Sequence, residues 1–194
     1  MRILRRSLCT LCFLVLASVL SGCFGSNNTV RLTYDHSSAR SIVPSSTAPR
    51  IVVVMFEDKR GRIDLGIHKD GSPFNPASSV AEWATQGMAD ELAKLGAQVS
   101  MAASMNQARA GNPDYIVDGA VEHVWLTEKN ISSYSCVVRL QTRLHHADSA
   151  PQTRKYSAEE DKAGIPGPRL QEETLSAAMS GALSNAASSI MSGI

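Results

Sequence analysis

The chain has 194 residues and a formal net charge of +1; 43% of its residues are hydrophobic, 19% charged and 5% aromatic. That is a globular composition, which excludes a disordered, collagen-like or coiled-coil chain. Three arginines and no acid lie in the first 22 residues, so the charge without them is −2. A protein this near neutrality has no global field with which to grip nucleic acid or anionic lipid.

Arg2, Arg5 and Arg6 form a positive start, and residues 11–20 are an apolar run. The run is too short to cross about 30 Å of hydrocarbon as a helix and reads as an export signal. It ends in Leu20-Ser21-Gly22-Cys23, which resembles a bacterial lipobox. That resemblance implies a signal peptide over residues 1–22 and acylation of Cys23 with a diacylglyceryl thioether and an N-acyl chain. Several acyl chains hold a soluble domain on a membrane without a spanning helix. Phe24, not aspartate, follows Cys23, which under enteric-type sorting points to the outer membrane and a periplasm-facing domain. Cys9 and Cys12 leave with the signal, so Cys136 remains alone in an oxidising compartment and reads as a buried, inert thiol. The fold must stand without a disulfide.

Residues 23–49 are rich in Ser, Asn, Thr and Pro and read as a lipidated tether ahead of a periplasmic domain over 50–194. Inside the tether Val30-Arg31-Leu32-Thr33-Tyr34 alternates apolar and polar, as an edge strand or a segment docked on the domain would. The β-branched run 51–56 predicts a central strand, and the charged, Gly- and Pro-bearing stretch 57–76 a long surface loop. A helix follows: Ser79 and Glu82 form a capping box, and Val80, Trp83, Ala84, Gly87, Met88, Leu92 and Leu95 make one stripe, with Gly96 as its stop. Glu82, Asp90 and Lys94 fall on the water side. Residues 97–101 predict a second strand, parallel to the first through the intervening helix. Asn112-Pro113 breaks the chain. Residues 115–126 and 133–146 alternate as the arms of a hairpin, with a weaker strand over 153–159. After the loop 164–168, Leu175, Ala178, Met179, Ala182, Leu183, Ala186 and Ile190 line a final helix. The predicted fold is α+β in β-α-β-β-β-α order, a two-layer domain whose mixed sheet has helices packed on one face.

Parity sets the hairpin register. Apolar residues of the two arms meet when paired residue numbers sum to an odd value, and a turn near Asn130 suggests 261. Val117 then faces Leu144, Val121 faces Leu140 and Trp125 faces Cys136. On the outer side Asp118 meets Arg143 and Glu122 meets Arg139, two cross-strand ion pairs. Such a face is a poor lipid groove and a suitable surface for a polar partner.

Signatures of catalysis are absent from the sequence: it has no nucleophile elbow, Walker loop, dinucleotide-binding turn or H-E-x-x-H. Of the histidines, His145 and His146 are neighbours on a predicted strand and point to opposite faces, so they do not chelate one ion. His36 lies in the tether, His68 in the long loop and His123 on the first hairpin arm. Glu57-Asp58-Lys59-Arg60 follows the first strand, at the kind of edge where α/β sites form.

Several of these features together resemble the YajG-like family of outer-membrane lipoproteins over nearly the whole mature chain. They are the lipobox, Leu32-x-Tyr34, the valine-rich strand running into Asp58-x-Arg60, the helix ending Glu91-Leu92-Ala93-Lys94-Leu95-Gly96, the Asp114-Tyr115 strand and the small-residue last helix. Asp35 and His36 stand where the family has proline after the tyrosine. The resemblance implies an outer-membrane-anchored periplasmic domain and brings no catalytic residues. The reading is a cell-envelope accessory protein that binds and does not catalyse, without cofactor or metal. Its partners are the membrane, through the acyl chains on Cys23, and an envelope protein met through Asp58, Arg60, Arg139 and Arg143; nucleic acid is not among them. The alternative is an auxiliary lipoprotein of an ABC-type transport system that binds a lipid or another apolar ligand.

Overall fold

The computed structural model describes residues 28–34, 44–146 and 149–194. The signal segment, Cys23 and His36 lie outside them. Within them the fold is α+β, with a curled mixed sheet of nine strands: β1 (Thr29–Val30), β2 (Arg50–Val54), β3 (Glu57–Asp58), β4 (Gly66–Ile67), β5 (Pro73–Pro76), β6 (Gln98–Ala102), β7 (Tyr115–Asn130), β8 (Ser133–His146) and β9 (Gln152–Ala163). The helices are α1 (Val80–Lys94), α2 (Met105–Ala110) and α3 (Pro168–Met191). None is long and apolar enough to cross a membrane.

The sixteen-residue strand β7 organises the sheet. Along one edge it receives β2, β3 and β4 in succession, all parallel, and along the other it pairs antiparallel with β8, which carries β9. β6 pairs parallel with β2, as two strands joined through a helix should. Ile51, Val53, Val117 and Val121 face one way, onto α1 and α3; Val52, Val54 and Ile116 face the other way and are covered by α2. Alternation along β2 thus feeds two apolar clusters, the larger under the two long helices and the smaller under the short one.

The long helices follow their sequence stripes. Ser79 Oγ accepts the Glu82 amide at 3.2 Å, and Gly96 leaves α1 in the left-handed region. Trp83, Met88 and Leu92 are buried, while Leu95, placed on the stripe by spacing, is exposed beyond the last turn. Glu82 is exposed as expected. Lys94 is not free in water: its ammonium meets Glu91 at 2.6 Å and lies 5.4 Å from the centre of the Tyr34 ring. All seven stripe residues of α3 are buried.

Three features depart from the sequence reading. The stretch 57–76 is not one surface loop: it supplies β3, β4 and β5, because Leu65 and Phe74 are both fully buried in the core. Helix α2 lies where the sequence reading has no element, although Ser104 and Gln107 carry the capping-box spacing; Ser104 Oγ accepts the Gln107 amide, and Gln107 Oε1 accepts the Ala103 amide. Finally, β7 bulges at Glu122. Before the bulge the hairpin keeps the predicted register: Val117 faces Leu144, Asp118 faces Arg143 and Val121 faces Leu140. After it the extra residue reverses the alternation. Val124 and Leu126 turn inward, Leu126 takes the place opposite Cys136, and Trp125 faces outward opposite Val137. The expected Trp125–Cys136 and Glu122–Arg139 pairs are replaced: His123 opposes Arg139, and Glu122 reaches Lys155 of β9 at 2.8 Å.

The segment 28–34 is docked on the domain. β1 adds to β5, Val30 is buried, and Leu32 and Tyr34 pack on the core. The Trp83 indole N–H donates to the Thr33 carbonyl at 3.1 Å, and the Tyr34 hydroxyl donates to Glu91 at 2.8 Å. Burial pushes the Tyr34 phenol well above its ordinary pKa.

Candidate functional site: the outer face of the long hairpin

The hairpin β7–β8 and the strand β9 present a face turned away from α1 and α3, and parity puts Asp118, Trp125, Arg139, Gln141, Arg143, Lys155 and Ser157 on it. Asp118 is its fixed point. Its carboxylate is buried and accepts from Arg143 Nε on one oxygen, while His145 Nε2 lies 2.9 Å from the other. A buried carboxylate needs such partners, since an unpaired one costs several kcal/mol. Toward the hairpin turn Arg62 lies over the outward Trp125 ring, 4.2 Å from its centre. Between these groups His123 is held below its ordinary pKa, first by burial and then by the nearby charges of Arg139 and Arg62. Arg139 itself is exposed.

Of the residues singled out by sequence, Arg139 and Arg143 share this face. Asp58 and Arg60 form a separate pair at the end of β3. Two guanidinium nitrogens of Arg60 donate to the two Asp58 oxygens at 2.8 Å each, and a third donates to the Asp64 carbonyl at 3.1 Å. The Arg60 side chain is only 4% exposed, and its guanidinium holds the Asp58 carboxyl below the usual carboxylate range. This pair closes the loop between β3 and β4. Among the described residues no hydrogen bond or ion pair joins it to Arg139 or Arg143.

Other motif residues also have local partners. Asp114 accepts the Arg50 amide at 2.8 Å and its guanidinium at 3.1 Å, which aligns the start of β2 with the start of β7. Glu91 and Lys94 meet Tyr34, so two segments of the family-like pattern form one cluster. Cys136 is buried, and burial pushes its thiol pKa up to about 12. Among the described residues no three His, Cys, Asp or Glu side chains are grouped to hold a metal.

A cleft of about 380 Å³ lies where β7 starts and β8 ends, lined by Arg109, Asp114, Tyr115, His145, His146 and Ser149 among others. The sequence reading missed it, because its walls come from residues 109–116 and from residues 145, 146, 149 and 151, which only the fold brings together. The rings of Tyr115 and His146 lie 5.1 Å apart there. His145 touches both this cleft and the Asp118 network, so the cleft is continuous with the outer face.

No family model matches the chain, and no curated protein sequence matches it significantly. Solved structures do match in fold. Protein XCC0632 from Xanthomonas campestris is 12% identical, with a TM-score of 0.50 over 84% of this chain and 91% of its own. The PelC dodecamer from Paraburkholderia phytofirmans is 16% identical, with a TM-score of 0.47 over 73% of this chain and 90% of its own. Lipoprotein GNA1162 from Neisseria meningitidis is 15% identical, with a TM-score of 0.38 over 75% and 99%. At 12% identity the likeness to protein XCC0632 speaks to fold and not to activity.

Proposed function

We propose that this chain is a lipid-anchored, periplasm-facing accessory protein of the bacterial cell envelope that works by binding a polar protein partner through the outer face of β7–β9. The lipobox and Phe24 support anchoring at the outer membrane, as does the resemblance to YajG-like lipoproteins. The observation that carries the binding role is the outer face itself: α1 and α3 cover the other side of the sheet, and this side carries the Asp118–Arg143–His145 network beside exposed Arg139. An apolar-ligand carrier would need a groove where this face has ion pairs, which favours a polar partner over the transport-linked alternative.

Photocrosslinking in intact cells tests the binding role. A photoreactive residue at Ser157, which pairs with Arg139 across β8 and β9, is expected to capture one discrete envelope protein. The same residue at exposed Ser184 on α3 should not, and Arg139→Glu should weaken capture from Ser157 severalfold. Equal capture from both positions, or capture indifferent to Arg139→Glu, contradicts the assignment.

A further inference from the structure

The docked segment 28–34 changes the geometry of the anchor. On composition residues 23–49 read as one long tether, but Asn28 is already fixed, its carbonyl accepting the Asn75 amide at 2.8 Å. Five residue steps separate Cys23 from Asn28, and a fully extended chain covers about 3.3–3.6 Å per step, so the leash reaches at most about 18 Å.

Strand directions say which part of the domain lies within that reach. β4 is parallel to β7, β5 is antiparallel to β4, and β1 is parallel to β5. β1 therefore runs against β7, and its N-terminal end points to the end of the sheet where β7 turns into β8. By register Phe74 lies opposite Gly66, and Gly66 opposite Leu126, which puts Asn28 near the level of Leu126. The level of the hairpin turn past Asn130 is about 13 Å further along at 3.3 Å per residue, within the leash; the level of Tyr115 is about 36 Å away in the other direction, beyond it.

The end within reach exposes two apolar tips. Ile131 in the β7–β8 turn is 73% exposed, and Ile165 in the loop between β9 and α3 is 89% exposed. The Gly164 amide donates to the Ser132 carbonyl at 2.9 Å, so the two loops are joined and their isoleucines form one pair of tips. Single exposed isoleucines are ordinary on a protein surface. Two on adjoining loops, at the end that the leash reaches, call for an apolar neighbour. Of the charges at this end, Lys129 pairs with Asp161 and Arg169 with Glu173, each at 2.7 Å. A contact made here leans on apolar insertion more than on a positive field toward anionic lipid.

We infer that the hairpin end of the domain rests in the interface of the bilayer that holds Cys23, with Ile131 and Ile165 entering the boundary between headgroups and acyl chains. The inference depends on the lipid-anchor reading. The long strands then stand away from the membrane, the outer face of β7–β9 rises along their length, and the cleft at Tyr115 and His145 opens at the far end, about 50 Å from the bilayer at 3.3 Å per residue.

The acylated full chain, made with its own signal and reconstituted into phosphatidylcholine vesicles, provides the test. An environment-sensitive fluorophore is attached to Ile131→Cys, to Ile165→Cys or, at the far end, to Arg109→Cys, while buried Cys136 stays unlabelled. Spin-labelled lipids should quench the probes at 131 and 165 by about twofold or more, as expected for groups seated at the interface, and leave the probe at 109 unchanged. Quenching should not depend on anionic lipid. An acylated protein with unquenched probes at 131 and 165, or with equal quenching at 109, overturns this placement and leaves the anchor standing. A Cys23 peptide found unacylated by mass spectrometry overturns the anchor and the placement together.

Discussion

Trp83→Ala is expected to lower the unfolding free energy of the mature chain by about 3–5 kcal/mol, the usual cost of deleting a large buried aromatic. Trp83 lies on the buried face of α1, and its indole N–H is the donor that holds the Thr33 carbonyl. The substitution opens a cavity in the main core and also releases the segment that carries β1. A domain of this size has about 5–15 kcal/mol in total, so the loss brings it close to unfolding. Trp83→Phe separates the two contributions: it keeps most of the ring and loses the hydrogen bond, worth about 1 kcal/mol. Chemical denaturation of the three proteins reads both steps. An alanine variant with the wild-type midpoint would place Trp83 outside the core.

Gly66→Ala is expected to cost still more, above about 4 kcal/mol, in the range reserved for substitutions that break a specific structural feature. A Cβ at Gly66 would sit 1.8 Å from the Leu126 carbonyl oxygen and 2.7 Å from both its nitrogen and its carbon, all backbone atoms. The backbone there also has φ +149°, a conformation that side-chain-bearing residues avoid. β4 must leave β7 to admit the methyl group, and the Leu126 amide then loses the Leu65 carbonyl it meets at 2.7 Å. Leu65, Phe74 and the β1–β5 pair depend on that contact. Hydrogen exchange should show lost protection first at Leu65, Leu126 and Asn75. Unchanged protection at those amides would contradict the described register.

The sequence made the long, regular elements legible and the short ones not. α1 and α3 carry long stripes of seven residues, the kind of pattern most readily read as helix, and of these only Leu95 is exposed. β7 and β8 alternate long enough to set their own register as far as Val121. The Glu122 bulge left no mark because a single inserted residue changes no composition, and parity arguments carry an undetected insertion forward to every later pair. That is why parity alone places Trp125 inside. β3, β4 and β5 are two to four residues long and made of charge, glycine and proline; β7 and the burial of Leu65 and Phe74 hold them in place, and propensity does not. The candidate site divides in the same way. The Asp118–Arg143 pairing follows from alternation alone, and so does the outward side of Arg139. His145 on Asp118, the burial of Arg60 and the cleft at Tyr115 depend on the chain crossing itself, which spacing does not report.

Both the proposed location and the proposed orientation of the domain follow from acylation of Cys23. Its most direct test is mass spectrometry of the N-terminal peptide from the membrane fraction of cells making the full chain, beside a Cys23→Ser variant. The expected result is a mature protein that begins at Cys23 with a diacylglyceryl thioether and an N-acyl chain and fractionates with outer membrane, while Cys23→Ser is unprocessed or released. A wild-type protein that keeps residues 1–22, or one cut elsewhere with an unmodified Cys23, would contradict the account.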